Sequence, residues 1–190
     1  MADFISLEDY KNTVGIVSPT NNSTISYLIP QVSAFIKNYC NRNLIDNATT
    51  ATAKTEVATV VYSDVIYLRE APIINVISIS ESSNYGLTST PLVENVDYIV
   101  DKDYDAVRRI GSSFPSTYNG TKIVYTGGYA SVPGDLRGVA AELLTYFLKN
   151  EGTPRRSTVS SSHLQIEYIT SSNLPAHIKN LLDNYRYVNI

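Results

Sequence analysis

Apolar residues recur at spacings of three and four in four places along the chain, and between the second and third the period changes to two. The first stripe, Leu7, Tyr10 and Val14, predicts a short helix over about 7–14. Ser6 is placed to accept from the amide three residues on, and Glu8 and Asp9 suit the positive end of the helix. Gly15 and Pro19 stop it. The second stripe is Leu28, Val32, Phe35, Ile36 and Tyr39, a helix over about 26–42. Pro30 is tolerable only in a first turn or at a kink, so the helix is expected to begin close to it. The third, over about 135–150, carries Leu136, Val139, Ala140, Leu143, Leu144 and Phe147, with Gly152 and Pro154 ending it. The fourth, over about 174–186, shows Ile178, Leu181, Leu182 and Tyr185, with Asn173 as cap and Pro175 in the first turn.

Between helices two and three the pattern is that of short strands. Residues 46–55 are small and polar, a loop or lead-in arm. Candidate strands are Glu56–Tyr62, Val65–Leu68, Ile73–Ser80, Asp97–Asp101, Val107–Gly111 and Lys122–Thr126, separated by turn-rich segments, among them Ser82–Pro91 and Ser112–Gly120. They predict a small antiparallel sheet or sandwich, a β-lobe over about 56–126. Residues 151–172 read as a flexible loop or arm, with Leu164–Thr170 extended. The expected fold is a single α+β domain over 1–190: a small helical bundle from the N- and C-terminal helices with an inserted antiparallel β-lobe.

Composition narrows the function. Hydrophobic residues are 43% and charged residues 17%, enough for a real core. There are 15 Tyr against 4 Phe and no Trp, which suits either contact surfaces or a Tyr-filled core. The net charge is −3 and the two arginine pairs, Arg108-Arg109 and Arg155-Arg156, are too short for a basic arm. Binding driven by phosphate neutralisation is therefore not expected. Cys40, the one cysteine, lies among apolar helix positions and reads as a buried thiol. The N-terminal stretch lacks the basic and apolar regions of a signal peptide, and no run is long enough to span a membrane, so a cytoplasmic, membrane-free protein is expected.

No motif offers catalysis. Asp97, Asp101, Asp103 and Asp105 superficially match a calcium loop, but Ala106 stands where Gly is needed and Ser112 where Glu is needed, so a hairpin tip is the better reading. His163 and His177 have no nucleophile elbow to serve. The Thr126-Gly127-Gly128-Tyr129 turn lacks the lysine and spacing of a phosphate loop. Gly127 and Gly128 instead permit a tight strand exit, and Pro133 and Asp135 start the next helix, so these four read as a structural joint. No cofactor or metal site is expected.

With those residues in view, the chain resembles the tailed-bacteriophage head–tail connector, or adaptor, family. The marks run in order along most of the chain: S-L-E-D-Y-K-N-T-V-G-I; V-S-A-F-I-K-N-Y-C-N-R-N-L; L-R-E-A-P-I-I-N-V-I-S-I; V-D-Y-I-V followed by R-I-G; V-Y-T-G-G-Y-A-S-V-P-G-D-L; and L-P-A-H-I-K-N-L-L-D-N-Y-R. The resemblance implies a non-enzymatic virion protein forming a ring, twelvefold, at the phage neck. It implies a portal protein above, a stopper or tail protein below, and DNA passing through the channel without sequence-specific binding. Virion assembly would begin in the host cytoplasm. Candidate contacts to the portal or a neighbouring copy are Arg155, Arg156, Leu164, Ile166 and Tyr168 in the arm, and Tyr185, Arg186, Tyr187 and Ile190 at the C-terminus. The alternatives are a ligand- or carbohydrate-binding β-module with helical flanks, whose tyrosines would stack on sugars, and an enzyme built on the Asp97–Asp105 acids.

Overall fold

The Ser6 hydroxyl accepts from the Asp9 amide at 3.0 Å and opens α1, Leu7–Val14, as its sequence position predicts. Gly15 closes the helix in the left-handed region, φ 74°, with its amide on the Lys11 carbonyl. The computed structural model describes residues 3–15, 20–45, 52–149, 155–160, 163–168 and 174–187, the strands at 155–160 and 163–168 by backbone alone. Pro19, Gly152, Pro154, Asn173 and Ile190, expected as stops, a cap and a contact, lie outside those residues. The chain falls into two compact units, residues 1–42 with 132–190, and Asn43–Ser131.

The helical unit holds α1, α2 (Asn22–Cys40), α3 (Gly134–Lys149) and α4 (Ala176–Asp183). α2 begins a full turn earlier than expected, so Pro30 lies inside it. The ring is on the exposed side of the helix, where water can reach the carbonyl that its missing N–H leaves free. Ile25, Leu28, Ile29, Val32 and Ile36 bury the opposite side. Phe35 meets Phe147 of α3 edge to face, centroids 6.2 Å apart. Tyr10 and Thr145 share a 3.0 Å hydrogen bond that ties α1 to α3. Thr145 spends its proton on the Ala141 carbonyl, so Tyr10 is the donor. Pro175 occupies the cap position ahead of α4 rather than its first turn, and no amide is needed there.

The β-unit is a sandwich. One sheet, ordered β1-β7-β3-β4, is built from β1 (Lys54–Ala58), β3 (Ile73–Glu81), β4 (Thr90–Leu92) and β7 (Thr121–Gly127). The other, ordered β2-β6-β5, is built from β2 (Val65–Tyr67), β5 (Tyr98–Asp101) and β6 (Ala106–Arg109). All pairings are antiparallel. Val76, Ile79, Ile123 and Tyr125 of the first sheet and Ile66, Tyr98 and Val107 of the second enclose one apolar core, closed by Phe114. β4 was not expected, since its Pro91 falls in a turn-rich stretch. An edge strand needs hydrogen bonds on one side only, which is why proline is admitted there.

Beyond α3, β8 (Arg155–Ser160) and β9 (His163–Tyr168) pair as an antiparallel hairpin.

Candidate assembly surfaces

The C-terminal end of the helical unit gathers side chains from α2, α3 and α4. The Tyr39 hydroxyl, in the last turn of α2, donates to Asp183 Oδ1 at 2.7 Å, and the Arg186 guanidinium lies 5.8 Å from the Tyr39 ring centroid. Burial, and then the Asp183 hydrogen bond, push the Tyr39 phenol up to about 12. Arg42 Nη1 donates to the Tyr185 carbonyl at 3.3 Å, and the Tyr187 amide donates to the Cys40 carbonyl at 2.9 Å. The Cys40 thiol is fully buried against the Leu182 carbonyl, and burial pushes it up to about 11. At the other end of this cluster the Tyr185 hydroxyl donates to Asp135 Oδ2 at 2.6 Å.

Two groups of residues singled out from the sequence thus meet in one place. Tyr185, Arg186 and Tyr187 fold back on their own unit through Asp135, Tyr39 and Cys40, while the Arg186 side chain stays exposed. Asp135 sits in the first turn of α3, with Oδ1 on the Leu136 amide, and the Pro133 carbonyl accepts from Arg137. In the hairpin, Arg155 is in register with Tyr168, Arg156 with Glu167, Ile166 with Ser157 and Leu164 with Val159.

Gly127 and Gly128 do different work in the β-unit. Gly128 has φ 118° and donates to the Pro72 carbonyl at 2.9 Å. A Cβ on Gly127 would lie 2.0 Å from the Glu70 carbonyl oxygen, so close backbone approach demands glycine. The carboxylate of Glu70, 5% exposed, accepts from the amides of Asn43 at 2.8 Å and Leu44 at 3.2 Å. The Glu70 amide in turn donates to the Tyr125 hydroxyl at 2.9 Å, and Tyr125 donates to Glu56. Burial, with Glu56 adding to it, drives the Tyr125 phenol far above its ordinary value. Sequence reading missed this network, because a Glu beside an Arg in a turn looks like any solvated pair.

Of the four clustered acids, Asp97, Asp101 and Asp105 are engaged in holding the sandwich together, and Asp103 is exposed. Asp101 pairs with Arg108 at 2.8 Å, and that hydrogen bond holds its carboxyl below the ordinary range. Asp105 Oδ1 accepts from the Ile73 amide at 2.8 Å, and Asp97 Oδ2 from the Val93 amide at 2.8 Å. Arg109 spans Glu81 at 2.9 Å and Asp97 at 3.4 Å, joining the two sheets. Among the described residues no group of three or more His, Cys, Asp or Glu is placed to hold a metal ion, and no helix is long and apolar enough to cross a membrane.

Tyrosine serves both as core and as surface. Tyr10, Tyr98 and Tyr125 are buried, whereas Tyr27, Tyr62, Tyr67, Tyr85, Tyr104 and Tyr118 are more than half exposed.

Solved structures share this fold, and two of them are neck chains. One is a chain in the neck of an empty GTA particle computed with C6 symmetry, 16% identical, with a TM-score of 0.58 over 98% of this chain and 91% of that one. The other is a chain in the neck of a native GTA particle computed with C12 symmetry, 14% identical, with a TM-score of 0.53 over 97% and 89%. Among curated proteins none matches the chain in sequence. The family model described as "Head completion protein" matches residues 3–188, and the chain belongs to that family.

Proposed function

We propose that the chain is a non-enzymatic structural protein of a phage virion that forms a ring at the neck, joins the portal to the stopper or tail component, and continues the DNA channel. The family match over residues 3–188 carries this reading. The likeness to two neck chains over nearly their whole length supports it, and the C12 symmetry of one of those particles suits a ring of twelve. The net charge of −3 fits a channel through which DNA slides without being held. The hairpin of β8 and β9, a two-stranded sheet among the described residues, suits strand addition to a portal or neighbouring subunit, and Arg155, Arg156, Leu164, Ile166 and Tyr168 are the contacts it would bring. Tyr185, Arg186, Tyr187 and Ile190 stand as contacts of a second kind, the first three on a base built by Tyr39, Cys40 and Asp135.

The test is electron microscopy of the purified chain mixed with portal rings from the same phage. A ring of density added coaxially to the portal is expected. A chain that stays monomeric and leaves the portal bare would refute the proposal.

A further inference from the structure

Three loops meet at one end of the β-sandwich: 59–64 between β1 and β2, 82–89 between β3 and β4, and 110–120 between β6 and β7. The third loop is laced to both others. The Tyr62 amide donates to Ser116 Oγ at 2.9 Å, the Phe114 amide to the Ser63 carbonyl at 2.9 Å, and the Asn119 amide to Thr59 Oγ1 at 3.0 Å. On its other side Thr117 Oγ1 donates to the Ser82 carbonyl at 2.9 Å, and the Ser82 amide to the Gly120 carbonyl at 2.8 Å. Ser82 Oγ and Asn84 Oδ1 then accept the amides of Gly86 and Thr88, at 2.9 Å each. Phe114, fully buried, anchors the platform in the core.

What this ordered platform presents is apolar. Val61, Tyr62, Tyr85, Leu87 and Tyr118 are 71%, 85%, 68%, 83% and 65% exposed. Tyr62 and Tyr85 are also held at φ 51° and 62°, a region that bulky side chains rarely adopt. Backbone strain of this kind persists where the surrounding structure enforces it, and it gathers at functional sites. From Thr59 to Ser63, Ser82 to Val93 and Ile110 to Thr121 there is no Asp, Glu, Lys or Arg. Tyrosines among Ser, Asn and Gly make contact surfaces that lose little conformational entropy on docking.

We propose that this loop end is a contact between copies of this chain, docking against a different face of the next copy. The inference rests on the ring reading above. Chains of net charge −3 repel one another, and apart from Asp64 at the margin of the first loop this end carries none of that charge, so copies meet here at low electrostatic cost. A cyclic assembly also requires each subunit to offer a face to a different face of its neighbour, and an ordered, largely apolar end supplies one.

The experiment places a photo-crosslinking benzoylphenylalanine at Tyr85, in the chain carried by assembled virions. Irradiation should give an adduct of twice the chain's mass, with peptides from this chain on both sides of the link. An adduct with a different virion protein, or none, would overturn the inference while leaving the neck reading intact. Absence of the chain from virions would overturn both. As a second arm, Leu87→Ser changes a side chain that is 83% exposed and so leaves the fold unstrained. It should reduce incorporation into virions at least tenfold with an unchanged melting temperature; normal incorporation would count against the contact.

Discussion

The Tyr185 hydroxyl donates to Asp135 Oδ2 at 2.6 Å, joining the second residue beyond the last helix to the first turn of α3 across 50 positions of sequence. The pair is short and charge-assisted, but Asp135 is exposed, so its net value sits at the lower end of such bonds. Tyr185→Phe should lower unfolding free energy by about 1 kcal/mol. The double-mutant cycle with Asp135→Asn, read by urea denaturation, should recover most of that as coupling. Additive single effects would show that the pair contributes nothing.

Gly127 and Gly138 offer opposite outcomes for the same substitution. Gly127→Ala drives a methyl into the backbone carbonyl of Glu70 and should cost about 3 kcal/mol or more. Gly138 is exposed within α3, and a Cβ there meets nothing within 4 Å. Gly138→Ala should stabilise by about 0.5–1 kcal/mol. Thermal melts of the two variants decide it.

Glu70 should be the most sensitive acid in the β-unit. Glu70→Gln turns an amide donor toward one of two backbone donors, and a loss of about 2 kcal/mol is expected. Hydrogen exchange at the Asn43 and Leu44 amides supplies the specific readout. Both should exchange faster in the variant, and unchanged protection would show that the carboxylate is not their acceptor.

Cys40 should resist thiol reagents. Burial lifts its thiol from the ordinary 9.0 to about 11, so at pH 8 the folded chain should react with DTNB only after denaturant is added. The sign of the linkage follows from the raised value. Across pH 9 to about 11 the unfolded chain loses this proton while the folded chain keeps it, so stability falls as pH rises. Tyrosines titrate nearby, and Cys40→Ala isolates the thiol: the difference in slope between the two proteins is its contribution.

The helices and most strands were legible in the chain because their signals are local. The stripe of Leu136, Val139, Ala140, Leu143, Leu144 and Phe147 repeats at helical spacing, and all six are buried. Ser6 capped α1 where its position predicted. Two elements were misread for equally local reasons. Pro30 argued for a late start to α2, yet an exposed ring leaves its orphaned carbonyl to water. Pro91 argued against a strand, yet β4 is an edge.

The sequence by itself determined the α+β class, the β-lobe set between helices, and the resemblance to head–tail connectors, since period, punctuation and order are properties of the chain alone. Tertiary structure decided what each polar group is for. Glu70, Asp105 and Tyr125 reach partners 26, 32 and 69 positions away, and no local pattern announces such distances. It also decided which of the tyrosines are core and which are surface. Tyr125 faces inward because one face of β7 meets the other sheet, whereas Tyr62 and Tyr85 stand out in solvent on loops. The side chain is the same in each case, and only packing by distant strands separates the roles.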